Sequence, residues 1–227
     1  MTHYTVSAAL EAIGNDLDSI TSGAIRLGIV ACTMTGGLSY SRRFYQEVLQ
    51  DPAVASPLVF PETVFNAPAS HLSAFLGAST VNYTLVGDTG AFLQGLAVAA
   101  NWLEDGAADA CLVIGAEESD WTAADALRLF DHNAVHTTGA GAIYLKAQPG
   151  SGSVVELTAV EQPASVQTDE PLFPDITKIL GEGFVASTAW QCVAACDALH
   201  RGVHRSATIR VTGPDHQSIG ARFMNSL

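Results

Sequence analysis

A chain of 227 residues, 48% apolar and only 15% charged, has enough apolar mass for one large domain or two small ones, which excludes a disordered, charge-solvated tail. Ten Lys and Arg against 23 Asp and Glu leave a net charge of −13, so nucleic acid and anionic membranes, which need a basic footprint, are excluded as natural partners. No run approaches the ~18 apolar residues of a membrane span, and MTHYTVSAALEAIGND lacks the basic-then-apolar pattern of a secretory signal, so the expected location is cytoplasmic.

The first readable element is Ile25 to Thr33 (IRLGIVACT), an apolar run bounded by glycine that predicts a buried strand. Ser39 to Leu49 places Phe44, Tyr45, Val48 and Leu49 at helical spacing and stops at Asp51-Pro52. A proline-marked loop, SPLVFPETVFNAP, leads to a short helix over Ala69 to Leu76. The β-branched and aromatic stretch Thr80 to Val86 predicts a strand, and Gly87-Asp88 a tight turn. Thr89 to Leu103 is apolar nearly all round, as a helix buried on most sides must be. A strand over Asp109 to Gly115, an amphipathic helix over Trp121 to Phe130 and a strand over Gly141 to Ala147 follow.

This alternation predicts an α/β domain around a largely parallel sheet. After the turn cluster Gln148 to Gly152 the rhythm restarts with a strand over Val154 to Val160, a loop over Ala164 to Pro174 and an apolar helix over Ser187 to Leu199. Ala207 to Thr212 and Ser218 to Met224 form a hairpin across a Gly-Pro-Asp turn. Residues 151–227 are too thin to cover a sheet alone and are expected to complete the same single unit as 1–150. Of the four cysteines, Cys32 and Cys111 lie in predicted buried strands, and Cys192 and Cys196 share one helical face. Buried, reduced thiols are the expectation.

Several segments in order resemble the β-ketoacyl synthases, the condensing enzymes of fatty-acid and polyketide assembly. Phe60–Gly77 resembles the stretch before the family's active site. Thr80–Glu118 resembles its nucleophile-bearing strand, turn and helix with the strand after it. Phe130–Ala147, Lys178–Gly202 and Gly213–Phe223 resemble three later segments, the last being the closing hairpin. The resemblance implies a thiolase-like layered α/β fold, with a second half that is truncated.

The departures bear on function. The family's nucleophilic cysteine falls on Thr89, one histidine on Glu182, and the family lysine on Thr177, with Lys178 one step off. The segment bearing the other histidine has no counterpart in the roughly 30 residues between Ala147 and Lys178. A helix N-terminus lowers a thiol pKa enough to give thiolate near neutral pH, but a threonine hydroxyl ionises far too weakly and needs a general base. Asp88, beside that helix start, is expected to cap exposed N–H groups. Such a pattern resembles the chain-length factors of type II polyketide systems, in particular the shortened ones of polyene-forming, highly reducing systems. The resemblance then implies a non-catalytic subunit paired with an active ketosynthase through Thr80 to Val86, lending a wall to its acyl tunnel. Phe65, Tyr83, Asp88 and Phe92 are candidate wall or interface residues.

The alternative is a stand-alone acyl-thioester hydrolase or acyltransferase using Thr89 with Glu182. The carrier protein implied by the resemblance is itself acidic, so it is expected to dock mainly on the partner. His132 with His136 and His200 with His204 have four-residue spacing but no third ligand, so no metal is expected. Gly36-Gly37 lacks the remainder of a phosphate loop, and no cofactor is expected.

Overall fold

The computed structural model describes residues 1–77, 81–148, 155–161, 173–213 and 218–225. Its first sheet is centred on β1 (Leu27–Thr33) and β3 (Ala110–Glu117), both buried at every position, as the unbroken apolar runs require of strands covered on both faces. β2 (Val81–Val86) and β3 flank β1 in parallel, and β4 (Gly139–Lys146) adds to β3 antiparallel, giving the order β2-β1-β3-β4. A second sheet contains β5 (Val155–Glu161), β6 (Ser206–Thr212) and β7 (Ser218–Asn225), all antiparallel in the order β5-β7-β6.

The helices arrange these sheets in layers. α1 (Thr2–Ile13), α2 (Leu17–Thr21) and α4 (Ala67–Leu76) cover one face of the first sheet, where Ala9, Ile13, Ile20, Leu72 and Leu76 meet Leu27, Ile29, Leu112 and Ile114. The alternate residues Val30, Cys32, Cys111 and Val113 point the other way, onto α5 (Ala91–Glu104) and α8 (Val185–His200). Those two helices are closed from the far side by Ala207, Ile209, Ala221 and Phe223 of the second sheet. α3 (Leu38–Gln50), α6 (Trp121–Arg128) and the short α7 (Thr177–Leu180) lie between these elements in the chain. Among the described residues no helix is long and apolar enough to cross a membrane.

Elements of the core match their sequence signals closely, and the differences have physical causes. Residues 1–24 carried no predicted element, yet α1 buries Thr5, Ala9 and Ile13 at four-residue spacing, a stripe masked by its threonine. α5 starts two residues after Thr89, which stands in the turn before it. The loop before α4 contains a 3-10 turn over Phe60–Thr63, and α7 lies in the stretch between the expected loop and the last helix, which carried no predicted element. The strands at the end of the chain form their own sheet. Thr80, Val154, most of the Ala164–Pro174 loop and most of both predicted turn clusters, at 148–152 and 213–215, lie outside the described residues.

All four cysteines are free, three of them buried and Cys196 half-buried. Burial pushes the Cys111 thiol up to about 11 and that of Cys196 up to about 12, so neither supplies thiolate near neutral pH.

α5 approaches the sheet through Gly95, where a Cβ would stand 2.7 Å from the Cys32 Sγ and 3.0 Å from a Val113 methyl. Gly95→Leu is therefore expected to destabilise the chain by about 1–3 kcal/mol in urea unfolding, despite leucine's better helix propensity. Unchanged stability would show that this contact is not tight.

Candidate functional site

The carboxyl ends of the parallel strands β1, β2 and β3 and the N-terminus of α5 open at one pole of the first sheet, where α/β proteins place their ligands. Thr89 sits there, half-buried in the turn between β2 and α5. The Asp88 carboxylate accepts the Gly90 amide at 2.8 Å, and its carbonyl accepts the Ala91 amide at 3.0 Å. The Thr89 carbonyl accepts the Thr188 hydroxyl at 2.8 Å, which ties the start of α5 to the first turn of α8. Ile219 and Val211 of the terminal hairpin close over the same turn at Gly90. Among the described hydrogen bonds, none joins the Thr89 hydroxyl to a histidine or carboxylate.

Glu182 enters from the segment before α8. Its backbone is clamped to a neighbouring loop, donating to the Val135 carbonyl at 2.8 Å and accepting from the Thr137 amide at 2.9 Å. Its carboxylate accepts the Phe184 amide at 2.5 Å. Burial pushes its pKa above the ordinary value, and the nearby Asp175 charge adds to this. The Phe184 amide and the Ser187 hydroxyl oppose the shift without cancelling it. Phe184 has φ of 48°, a left-handed conformation that a side chain of this size rarely adopts.

The Phe184 ring lies 5.1 Å from the ring of His136, a histidine that sequence spacing had paired with His132 as a weak metal motif. Here His136 instead faces a hydroxyl, with Nδ1 3.2 Å from the Ser119 Oγ. Burial lowers its pKa, which favours the neutral ring. Among the described residues no group of three or more His, Cys, Asp or Glu gathers in a way that would hold a metal.

The remaining candidates are dispersed. Thr177 starts α7, with its amide and hydroxyl both donating to the Asp175 carboxylate at 2.9 and 2.7 Å, while Lys178 is exposed. Phe65 packs over Gly36 and keeps one face exposed, and Tyr83 is exposed on β2. Phe92 stands in the first turn of α5. It is wholly buried, with its ring against Gly115, because α5 needs a large apolar side chain to fill the space beside β3.

A group that sequence reading passed over is Glu117, the last residue of β3. Its fully buried carboxylate accepts the Met34 amide at 2.5 Å, the Thr35 amide at 3.1 Å and the Thr35 hydroxyl at 2.6 Å. Burial raises its pKa against these bonds, and the carboxylate fixes the loop after β1 to the end of β3.

No family sequence profile matches the chain, and no curated protein matches it by sequence. Its shape is similar to that of the ishigamide ketosynthase/chain length factor, with TM-score 0.68 and 16% identity over 88% of this chain and 73% of that one. A β-ketoacyl synthase from Burkholderia phymatum gives TM-score 0.74 at 12% identity over 100% of this chain and 82% of that one. The complex AntDE:AntF, a type II polyketide synthase acyl-carrier protein with its ketosynthase bound to the hexaketide, gives 0.75 at 15% identity, covering 98% and 81%. The chain thus has the thiolase-like layered α/β fold, with mixed sheets and surrounding helices.

A carboxyl whose folded pKa is raised stabilises the fold in its protonated form. That contribution is complete below its ordinary value of 4.5 and is lost as pH rises through the folded value. Glu182→Gln keeps the acceptor for the Phe184 amide and removes the buried charge. It is expected to raise the Tm at pH 8, with the gain shrinking to nothing towards pH 4, in thermal unfolding monitored by circular dichroism. A gain independent of pH would contradict this.

Proposed function

We propose that this chain is a non-catalytic, ketosynthase-like subunit that pairs with an active β-ketoacyl synthase and lends a wall to its acyl tunnel during chain elongation. The observation that carries the reading is β2. It is a border strand of the first sheet, and Val81, Tyr83 and Val86 are 56, 51 and 52% exposed. A border strand with apolar and aromatic side chains and unpaired backbone is unsuited to solvent and suited to a partner strand. The apolar surface continues through Phe75 of α4, which packs against β2, and through Phe60 and Phe65 before it.

The chemistry of the pole supports the same reading. Condensation needs an ionisable nucleophile and donors that polarise a thioester carbonyl. Here the helix start offers the Thr89 hydroxyl, the Glu182 carboxylate is committed to the Phe184 amide and Ser187, and the Thr177 hydroxyl to Asp175. The ishigamide ketosynthase/chain length factor offers a precedent for pairing a synthase with such a subunit. Within the pair, the net charge of −13 leaves carrier-protein docking mainly to the synthase.

Co-expression with a partner ketosynthase tests the proposal. The two chains are expected to copurify one-to-one, and Tyr83→Asp on the exposed face of β2 is expected to weaken the pair by about tenfold or more. Thr89→Ala is expected to leave product output within about twofold of the parent complex, as for a residue outside the chemistry. A loss beyond about tenfold, with the pair intact, would overturn the non-catalytic assignment.

A further inference from the structure

The first sheet has a second border, and its character differs from that of β2. Among the described strands β4 bonds only to β3, and α1 and α8 pack against it on its two faces. Two cavities follow one another along it. One, of about 450 Å³, lies between Thr138, Gly139 and Ala140 and the α1 residues Tyr4, Ser7 and Glu11. The next, of about 440 Å³, lies between residues 142–145, Val193, Cys196 and His200 of α8, and Val155, Leu157 and Phe223 of the second sheet.

Successive side chains of a strand point to opposite faces, so a cavity touched by four consecutive residues lies at the strand's edge and not over either face. Each cavity has one wall that is a helical stripe, Tyr4, Ser7 and Glu11 in the first and Val193, Cys196 and His200 in the second. Leu180 and Trp190 complete the first, and Val155, Leu157 and Phe223 the second. Together these two cavities, the β4 trench, border successive parts of an eight-residue strand.

On that margin every second residue directs its N–H and C=O outward. One of these groups, the Ala140 carbonyl, is taken by the Trp190 indole at 3.0 Å. An alkyl chain in the trench would leave the others without partners, whereas an extended peptide supplies donors and acceptors at the same repeat. β4 also lacks the usual guards of a border strand. It contains no proline, and its one lysine, Lys146, is at its end and ion-paired to Asp16. The charge of the walls selects among peptides. Glu11 is exposed on one side, Asp197 stands on the other beside its Arg201 partner, and the chain as a whole is strongly acidic.

We propose that the β4 trench is a strand-addition site for an extended, basic peptide segment of a partner protein. It lies at the opposite border of the sheet from β2, so it would be open while β2 is paired.

The test is fluorescence anisotropy of the full chain with a fluorescein-labelled peptide, Lys-Val-Ser-Val-Lys-Val-Ser-Val. Saturable binding is expected, weakened by about tenfold or more when alternate amides are N-methylated, and likewise when both lysines are replaced by glutamate. Glu11→Lys, an exposed change whose folding is checked by its thermal melt, is expected to weaken binding by about threefold or more. Equal binding of the N-methylated or the acidic peptide would overturn the proposal, as would no saturation up to about 1 mM. The peptide comparisons use the parent chain, so they decide the question even if the variant fails to fold.

Discussion

Two helices sandwiched between two sheets can reach both only if their contact surfaces are small where the backbones approach, and this close approach organises the rest of the molecule. α5 meets β1 and β3 through Gly95, and α8 meets β3 where Gly115 faces Ala189 and the Val185 carbonyl. Larger side chains there would lift both helices off the sheet. The apolar residues that line the remaining space, among them Phe92, Leu96, Leu199 and Phe223, would then lose their shared core. The same approach brings the first turns of the two helices together, so the bond from Thr188 to the Thr89 carbonyl follows from the packing.

Packing and chemistry therefore draw on different residues. The glycines, alanines and aromatics that hold α5 and α8 in place do not depend on what stands at position 89 or 182. Under the proposed non-catalytic reading, Thr89 and Glu182 would leave the scaffold intact without supplying what a condensing pocket needs. The partial positive charge of a helix start acts on a group that ionises within reach of neutral pH, and a hydroxyl does not. Asp88 sits beside that charge and accepts the Gly90 amide within it. A buried carboxylate at Glu182 would resist developing negative charge nearby instead of stabilising it.

How much of this was readable in advance depended on whether one segment of chain contained the whole signal. β1, β3, α5 and α8 are covered on nearly all sides, so their uninterrupted apolar runs announced them. α1 was hidden because Thr5 holds a position in its buried stripe. β4 begins two residues earlier than its sequence signal because Gly139 and Ala140 are poor strand formers held in place by Trp190, 50 residues away. Within the site, Thr89 and Glu182 were found through an ordered resemblance. Their surroundings were not, because Thr188, Ser187 and Asp175 become neighbours only on folding. Glu117 lay beyond the strand expected over Asp109 to Gly115. Only the loop after β1, folding back over it, makes that carboxylate a buried clamp.

The first sheet thus ends in two borders that pose different physical problems. β2 carries its large side chains outward, so the area it exposes is covered well only by something broad and folded. β4 is flanked by α1 and α8, and the slot proposed for a peptide follows the cavities along its margin. A folded domain cannot enter that slot without displacing a helix that buries core residues such as Ala9 and Cys192. An extended segment can, because it adds backbone bonds without disturbing either wall. Under the two proposals, the different flanking of the two borders would separate a surface for a subunit from a slot for a peptide.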